Sequence, residues 1–546
     1  MTDGLSRRAF LRYGAGAVAG SAIPGRLGHV APSAGAQQAA PLLAAPTDFD
    51  LEETTIAQLQ ESMRSGARTS HAICAAYLAR IAELDPKLHA VLETNPETLA
   101  IADRMDAERK AGHVRGPLHG IPVLIKDNIA TNDRMMTTAG SLALAGGTAP
   151  RDANLVGRLR AAGAVIIGKT NLSEWANFRS SHSVSGWSGR GGQCRNPYAT
   201  DRNPCGSSSG TGAAIAANFA AVGVGTETDG SIVCPSHANS LVGLKPTVGL
   251  VSRAGIIPIA HSQDTAGPMC RTVTDAALLL GVLAGADASD SATAAAPATI
   301  PDYTKALDPN GLKGARIGVA RAAFGSPEGD RLVTAALDVL KTQGATLIDP
   351  VEIPHVKDYG DQEFTVLLYE FKADLNTYLA GLGSASRMKT LADLIAFNEQ
   401  HKQTEMPYFG QETFTQAQEK GPLTDDAYVE ALAHCRRLSR AEGVDVAFAK
   451  DKLDAIVAPT GGPAWLIDLV NGDCSGGGGN SSIAAVAGYP TITVPVGYSY
   501  GLPVGMSFIG KPWTETTLLK FAYAYEQAVK PRRAPRLLPT ADLTQR

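Results

Sequence analysis

The residues able to do chemistry in this chain crowd between Pro204 and Pro235, PCGSSSGTGAAIAANFAAVGVGTETDGSIVCP, where two serine–glycine turns flank a small-residue helix and an apolar run. Glycine opens backbone conformations closed to other residues, and serine supplies hydroxyls with little bulk, so such a stretch suits close approach to a ligand. Ser207 and Ser231 stand near its two ends. Upstream, the apolar run Ile121-Pro122-Val123-Leu124-Ile125 leads into Lys126-Asp127-Asn128. A lysine ending a buried strand must find a partner or lose its proton. A serine hydroxyl is a weak nucleophile until a base takes its proton, and a Ser–Lys arrangement is one known solution. A free lysine has a pKa of about 10.4, so a neutral base near pH 7 needs a drop of about three units, roughly 4 kcal/mol, which burial can supply.

Three patterns compete for these residues. Gly206-Ser207-Ser208-Ser209-Gly210 fits G-x-S-x-G and would make Ser208 an α/β-hydrolase nucleophile. That elbow needs a buried strand just before it, and Asn203-Pro204-Cys205 is not one. Ser386-Arg387-Met388-Lys389 fits S-x-x-K, but neither S-D-N nor K-T-G accompanies it, and it reads as part of a solvated helix. The third pattern joins Lys126, Ser207 and Ser231.

On that third pattern the chain resembles the amidase signature family of serine hydrolases. The matching stretches, in order, are Gly120 to Asp127 (GIPVLIKD), the serine cluster 206–210, Gly225 to Ile232 (GTETDGSI), Gly243-Leu244-Lys245-Pro246-Thr247, and the late Ala487-Gly488-Tyr489-Pro490 with Pro503-Val504-Gly505. The resemblance implies a Ser–cis-Ser–Lys triad with Ser231 as nucleophile, Ser207 as the relay on a cis peptide bond, and Lys126 as base. It also implies an oxyanion hole from the backbone N–H groups of Thr228, Asp229, Gly230 and Ser231, with no cofactor and no metal. Many members spell the second motif Asp-x-Gly-Gly-Ser-Ile-Arg, whereas Glu227-Thr228-Asp229-Gly230-Ser231-Ile232-Val233-Cys234-Pro235 is similar to bacterial peptide amidases, which release ammonia from C-terminal peptide amides. Tyr408-Phe409-Gly410-Gln411-Glu412 is reminiscent of them too. The substrate expected is a peptide or small-molecule amide. Broad-specificity aliphatic or aryl amidases, the glutaminase-like subunit of a tRNA-dependent amidotransferase, and an inactive binding protein on the same scaffold are the alternatives.

The elements that must position these residues alternate. Helical patterns fall at about 54–65, 70–84 and 96–111, with Asn95 as a cap before Pro96. Beyond the strand ending at Lys126 come a helix at 152–162, a strand at 164–168, a capping box at Asn171 to Glu174, a helix at 211–221 and a strand at 222–226 that delivers Ser231. Residues 287–300 read as an exposed connector. Strands at 315–319, 345–348, 455–458, 491–496 and 504–509 follow, then a closing helix near 515–529. Such alternation, with the resemblance, predicts an α/β protein: a single large domain whose central mixed β-sheet is covered by helices on both faces. The domain is expected over 50–535, with a mainly helical insert at about 358–452.

Bulk properties narrow the class. Of 546 residues 44% are hydrophobic, enough for a large core, and a net charge of −4 leaves no footprint for nucleic acid. No apolar run is long enough for a membrane span. Arg7-Arg8 before a mild apolar stretch, with Ala34-Gly35-Ala36 after it, resembles a twin-arginine export signal over 1–36, then a spacer at 37–49. A periplasmic or secreted enzyme is therefore expected, and a monomer is compatible with all of this. The cysteines at 74, 194, 205, 234, 270, 435 and 474 are odd in number and widely spaced, and read as buried free thiols.

Overall fold

In a computed structural model of the chain, residues 49–545 are described, and the chain from Asp50 onward forms one compact unit. The export signal expected at 1–36 and nearly all of the spacer lie outside the described residues. Among the described residues thirteen strands occur: β1 (Val91–Thr94), β2 (Pro122–Lys126), β3 (Val165–Thr170), β4 (Trp187–Ser188), β5 (Gly192–Gln193), β6 (Val222–Glu227), β7 (Val242–Lys245), β8 (Thr265–Cys270), β9 (Arg316–Val319), β10 (Thr346–Ile348), β11 (Ala455–Pro459), β12 (Thr491–Ser499) and β13 (Leu502–Ile509). Eleven of them form one mixed sheet in the order β1-β3-β2-β6-β8-β7-β12-β13-β11-β9-β10, and β4 pairs with β5. The molecule is a large α/β domain whose central sheet is flanked by helices.

Sequence explains why β2, β3 and β6 sit at the centre. Each is buried along its whole length, and continuous apolar runs suit strands covered on both faces. The three run parallel, whereas β8 is antiparallel to β6 with Thr265 opposite Glu227. The carboxyl ends of β2, β3 and β6 and the amino end of β8 therefore share one edge, the place where open α/β sheets bind ligands. Helix Ser209–Ala216 lies on this part of the sheet and is buried throughout. Its small residues permit close packing: a Cβ on Gly223 would come within 2.6 Å of Thr211 Cγ2.

Several local expectations differ. The helix begins at Ser209 and stops at Ala216, because Asn218 takes a left-handed conformation (φ 60°) that turns the chain into β6. The expected capping box does not form: Asn171 Oδ1 accepts from Leu172 N at 2.9 Å and from Ser188 Oγ at 2.7 Å, and the Glu174 carboxylate pairs with buried Arg179 at 2.9 Å. Asn95 is not the cap itself; its side chain accepts from Glu97 N at 2.9 Å, just ahead of the helix. The connector after 287 is tied down, since Ser252 Oγ donates to Asp287 at 2.6 Å and Arg253 pairs with buried Asp290. Lys389 lies outside a helix and donates to the carbonyl of Ser386 at 2.7 Å.

Residues 360–451 are mainly helical, from Gly360–Gly381 to Asp445–Asp451. Two of their aromatics, Phe371 and Phe414, are packing residues. Phe371 and Phe414 are fully buried, Phe371 contacts Phe178 at 5.0 Å between centroids, and Phe414 contacts Trp175 at 5.7 Å. Among the described residues no helix is long and apolar enough to cross a membrane.

Candidate active site

The lysine at the end of β2 is fully buried. Lys126 Nζ lies 2.8 Å from Ser207 Oγ and 2.9 Å from Thr226 Oγ1, with the Thr226 carbonyl at 3.4 Å. Asn128 Nδ2 donates to the same Thr226 hydroxyl at 3.0 Å. Burial pushes the ammonium pKa down from its ordinary 10.5 to about 7, although the negative charges of Asp264 and Glu227 oppose the fall. This lysine takes the second of the two options open to a buried amine: among the described residues it makes no ion pair, and it holds its proton weakly.

Ser207 is fully buried and its peptide bond with Gly206 is cis. The loop is held on both sides. Ser173 N donates to the Ser207 carbonyl at 3.1 Å, and Ser208 N donates to the Ser231 carbonyl at 3.2 Å. That second bond joins the two ends of the serine segment directly. Ser231 follows β6 across a turn and keeps 8% of its surface exposed, unlike the sealed serines at 207–209. Ser208, the nucleophile of the G-x-S-x-G pattern, is excluded by its bonds: its hydroxyl donates to the Thr226 carbonyl at 3.0 Å and accepts from Thr226 N at 3.2 Å.

The turn from Thr228 to Ser231 is shaped by its neighbours. Gly230 has φ 84°, a conformation that suits glycine, whereas Asp229 is not among the residues of positive φ. The turn therefore tolerates a side chain at Asp229, whose carboxylate accepts from Ser482 Oγ at 2.6 Å. Glu227 Oε2 accepts from Ile232 N at 2.7 Å and Val233 N at 3.0 Å, so the carboxylate closes the turn and caps helix Val233–Ala238. Among the described residues the N–H groups of Thr228, Asp229, Gly230 and Ser231 have no hydrogen-bond acceptor. They are donors to spare at the edge of a buried site.

Around this core stand residues that reasoning from sequence did not single out. Thr226 is one. Asp264 is another: half-buried, with its carboxyl raised by desolvation to about 6, it accepts from Thr228 Oγ1 at 2.6 Å. Both are polar residues at the ends of buried strands, the same signal that marked Lys126. Cys205 and Cys234 are joined in a disulfide with Cα atoms 5.9 Å apart, correcting the expectation of free thiols there. Cys74, Cys194, Cys270 and Cys435 are free and buried as expected, while free Cys474 is exposed. Of residue types that bind metals, His261, Glu370 and Asp374 cluster near the site. The imidazole there is already spanned by carboxylates, Asp374 on Nδ1 at 2.8 Å and Glu370 on Nε2 at 3.4 Å.

Known proteins place this architecture. The family profile described as Amidase matches residues 72–519. A probable amidase of Arabidopsis thaliana is 42% identical over 502 residues, covering 90% of this chain and 93% of the plant protein. A putative amidase of Schizosaccharomyces pombe is 37% identical over 520 residues, covering 90% of this chain and 87% of the yeast protein. Among solved structures, the native peptide amidase of Stenotrophomonas maltophilia is 52% identical, with a TM-score of 0.86 over 90% of this chain and all of that one. A strand-end lysine beside two serine turns, on a sheet shared with these enzymes, makes this chain a member of the amidase signature family, hydrolases of the amide C–N bond.

Proposed function

We propose that the enzyme hydrolyses the C-terminal amide of peptides, releasing ammonia through an acyl-enzyme on Ser231, with Ser207 as relay and Lys126 as base. The observation that carries this reading is the 2.8 Å contact from Lys126 Nζ to Ser207 Oγ, made by a lysine whose pKa is depressed to about 7. A lysine neutral near pH 7 accepts the proton of Ser207 as Ser207 takes that of Ser231, so that the Ser231 oxygen attacks the carbonyl carbon. The developing oxyanion faces the N–H groups of Thr228, Asp229, Gly230 and Ser231; removing one such donor typically costs about 3–4 kcal/mol. The proton returns through Ser207 to the departing nitrogen, the C–N bond breaks, and water repeats the sequence on the ester. Preference for peptide amides is supported by the spelling from Glu227 to Pro235 and by the similarity to peptide amidase. Export is supported by Arg7-Arg8 and the small-residue stretch behind it, which together read as a twin-arginine-type signal for the periplasm or secretion.

The test is ammonia release from a peptide amide, a simple aliphatic amide and glutamine, with Ser231→Ala and Ser208→Ala beside the parent. Peptide amide should be the preferred substrate. Ser231→Ala should lose turnover by about 10³-fold or more and lose labelling by a fluorophosphonate, and Ser208→Ala should keep the label. Preference for glutamine, with a tRNA-binding partner co-purifying, would favour the amidotransferase reading instead. Labelling that survives in Ser231→Ala would sink the assignment.

A further inference from the structure

The stretch Gly243-Leu244-Lys245-Pro246-Thr247 carries a second strand-end lysine, which the reaction proposed above does not use. Lys245 closes β7 and is fully buried, and its Nζ donates to the carbonyl of Pro246 at 3.1 Å. Three carboxylates act on it by charge: Glu227 at the end of β6, Glu515 at the start of helix Glu515–Val529, and Asp229 in the turn before Ser231. Glu515 is already fixed, accepting from Thr247 N at 2.7 Å and from Thr247 Oγ1 at 2.6 Å. The other two each keep one oxygen to spare: Glu227 Oε1 and Asp229 Oδ1 are buried and accept no hydrogen bond among the described residues.

Negative charge at Glu227 and Asp229 works against the chemistry. An oxyanion forming at the N–H groups of Thr228 to Ser231 is repelled by both carboxylates, and a buried site screens that repulsion far less than water does. Yet the turn depends on Glu227 being ionised. Its Oε2 accepts from Ile232 N and Val233 N, just past Ser231, and such bonds are roughly twice as strong to a carboxylate as to a neutral acceptor. Burial raises the Glu227 carboxyl above its ordinary range, and the charge of Lys245 leads the influences that hold it down. A buried ammonium meets both needs.

Resting on the reading of this turn as the oxyanion hole, we infer that Lys245 is a positioning residue for the reaction. Its ammonium offsets Glu227 and Asp229, keeps Glu227 bonded to Ile232 and Val233, and leaves the N–H groups to dominate the field at the oxyanion. Loss of its proton strands two buried carboxylates beside the oxyanion with no counter-charge. Burial brings the Lys245 pKa down from 10.5 to about 8, with Glu227, Glu515 and Asp229 opposing the fall. On a peptide amide kcat should therefore decline on an alkaline limb near pH 8, above the acid limb set by Lys126. Lys169, another buried lysine brought to about 8, feels Asp127, Asp133 and Glu93 instead, so variants around Lys245 identify the group.

The experiment measures kcat and KM across the pH range for the purified parent, Lys245→Arg, Lys245→Met and Asp229→Asn, with thermal melting to check folding. Lys245→Arg keeps its charge, so its alkaline limb should move up by at least about one pH unit while the acid limb stays. Lys245→Met should lose the alkaline limb, lower kcat by about tenfold or more and leave KM within about threefold. It should also weaken a peptide aldehyde, whose hemiacetal oxygen occupies the oxyanion position, by the same factor as kcat. Asp229→Asn removes a charge that raises the Lys245 pKa, so its limb should move down. That change lies in a half-buried turn position and tests the inference even where the lysine variants do not fold. An alkaline limb that stays in place in Lys245→Arg and Asp229→Asn, or none at all in an active parent, overturns the role of Lys245 and leaves Ser231 as nucleophile. A folded Lys245→Met that raises KM and holds kcat overturns it too. Turnover that survives in Ser231→Ala sinks the site itself, and this inference with it.

Discussion

At Lys126 the chemistry is governed by a single proton. Burial drives the pKa to about 7, and only the neutral amine can accept from Ser207. The group's folded pKa is below its unfolded one, so between about 7 and 10.5 the unfolded chain holds more of this proton. The site's contribution to stability is therefore present at high pH and lost as pH falls through about 7. Activity follows the same proton: kcat/KM should show an acid limb near pH 7 that falls about tenfold per pH unit below it. Asp264 raises the lysine pKa, so Asp264→Asn should move that limb to lower pH. A limb that stays in place, or moves up, would show that another group sets it. Lys126→Arg, which keeps its charge at every accessible pH, should be inactive across the whole profile.

At the scale of elements, the segment between the serines is held as a unit. Helix Ser209–Ala216 and β6 fix its middle, and the Cys205–Cys234 disulfide closes it across 29 positions beside both Ser207 and Ser231. Cross-linking a loop of this size removes denatured-state freedom worth about 3–4 kcal/mol in the chain-entropy account. Cys205→Ala with Cys234→Ala should lower the unfolding free energy, read as the denaturant midpoint multiplied by the m value, by that amount. Equal midpoints for the parent with and without reductant, after thiol titration confirms reduction, would rule out a stabilising staple. Spacing in the sequence suggested none of this, because two cysteines among seven carry no information about partner until the chain has folded between them.

Over the whole molecule, the helices of 360–451 must stay docked against the strand-end edge. One tie is His261, which faces Asp374 and Glu370 on helix Gly360–Gly381 and lies close enough to Arg253 to feel its charge. The hydrogen bond with Asp374 leads the causes that raise the imidazole pKa above its ordinary 6.5, with burial and Arg253 opposing. A raised folded pKa means stabilisation fully present below about pH 6.5 and lost as pH rises through the folded value. The melting-temperature difference between parent and His261→Ala should therefore be larger at pH 6 than at pH 9.5. A difference independent of pH would mean that His261 acts by packing alone.

What the sequence determined by itself was local. Continuous apolar runs marked β2, β3 and β6, a polar residue at the end of one of them marked Lys126, and the spelling around the serines pointed to the family. Each of these signals lies within a few residues of the group it concerns, so hydrophobicity and turn chemistry carry it without knowledge of the fold. Tertiary structure decided the rest. Placing β6 directly beside β2 brings Thr226 onto the Lys126 ammonium, and running β8 antiparallel to β6 brings Asp264 to the same edge. Ser208 was removed as a candidate by two hydrogen bonds to β6 that no spacing announces. The turn accepts Asp229 because its backbone there does not need glycine and Ser482, far along the chain, receives the carboxylate. Convergence of this kind depends on strand order, and strand order is settled only when the whole sheet packs.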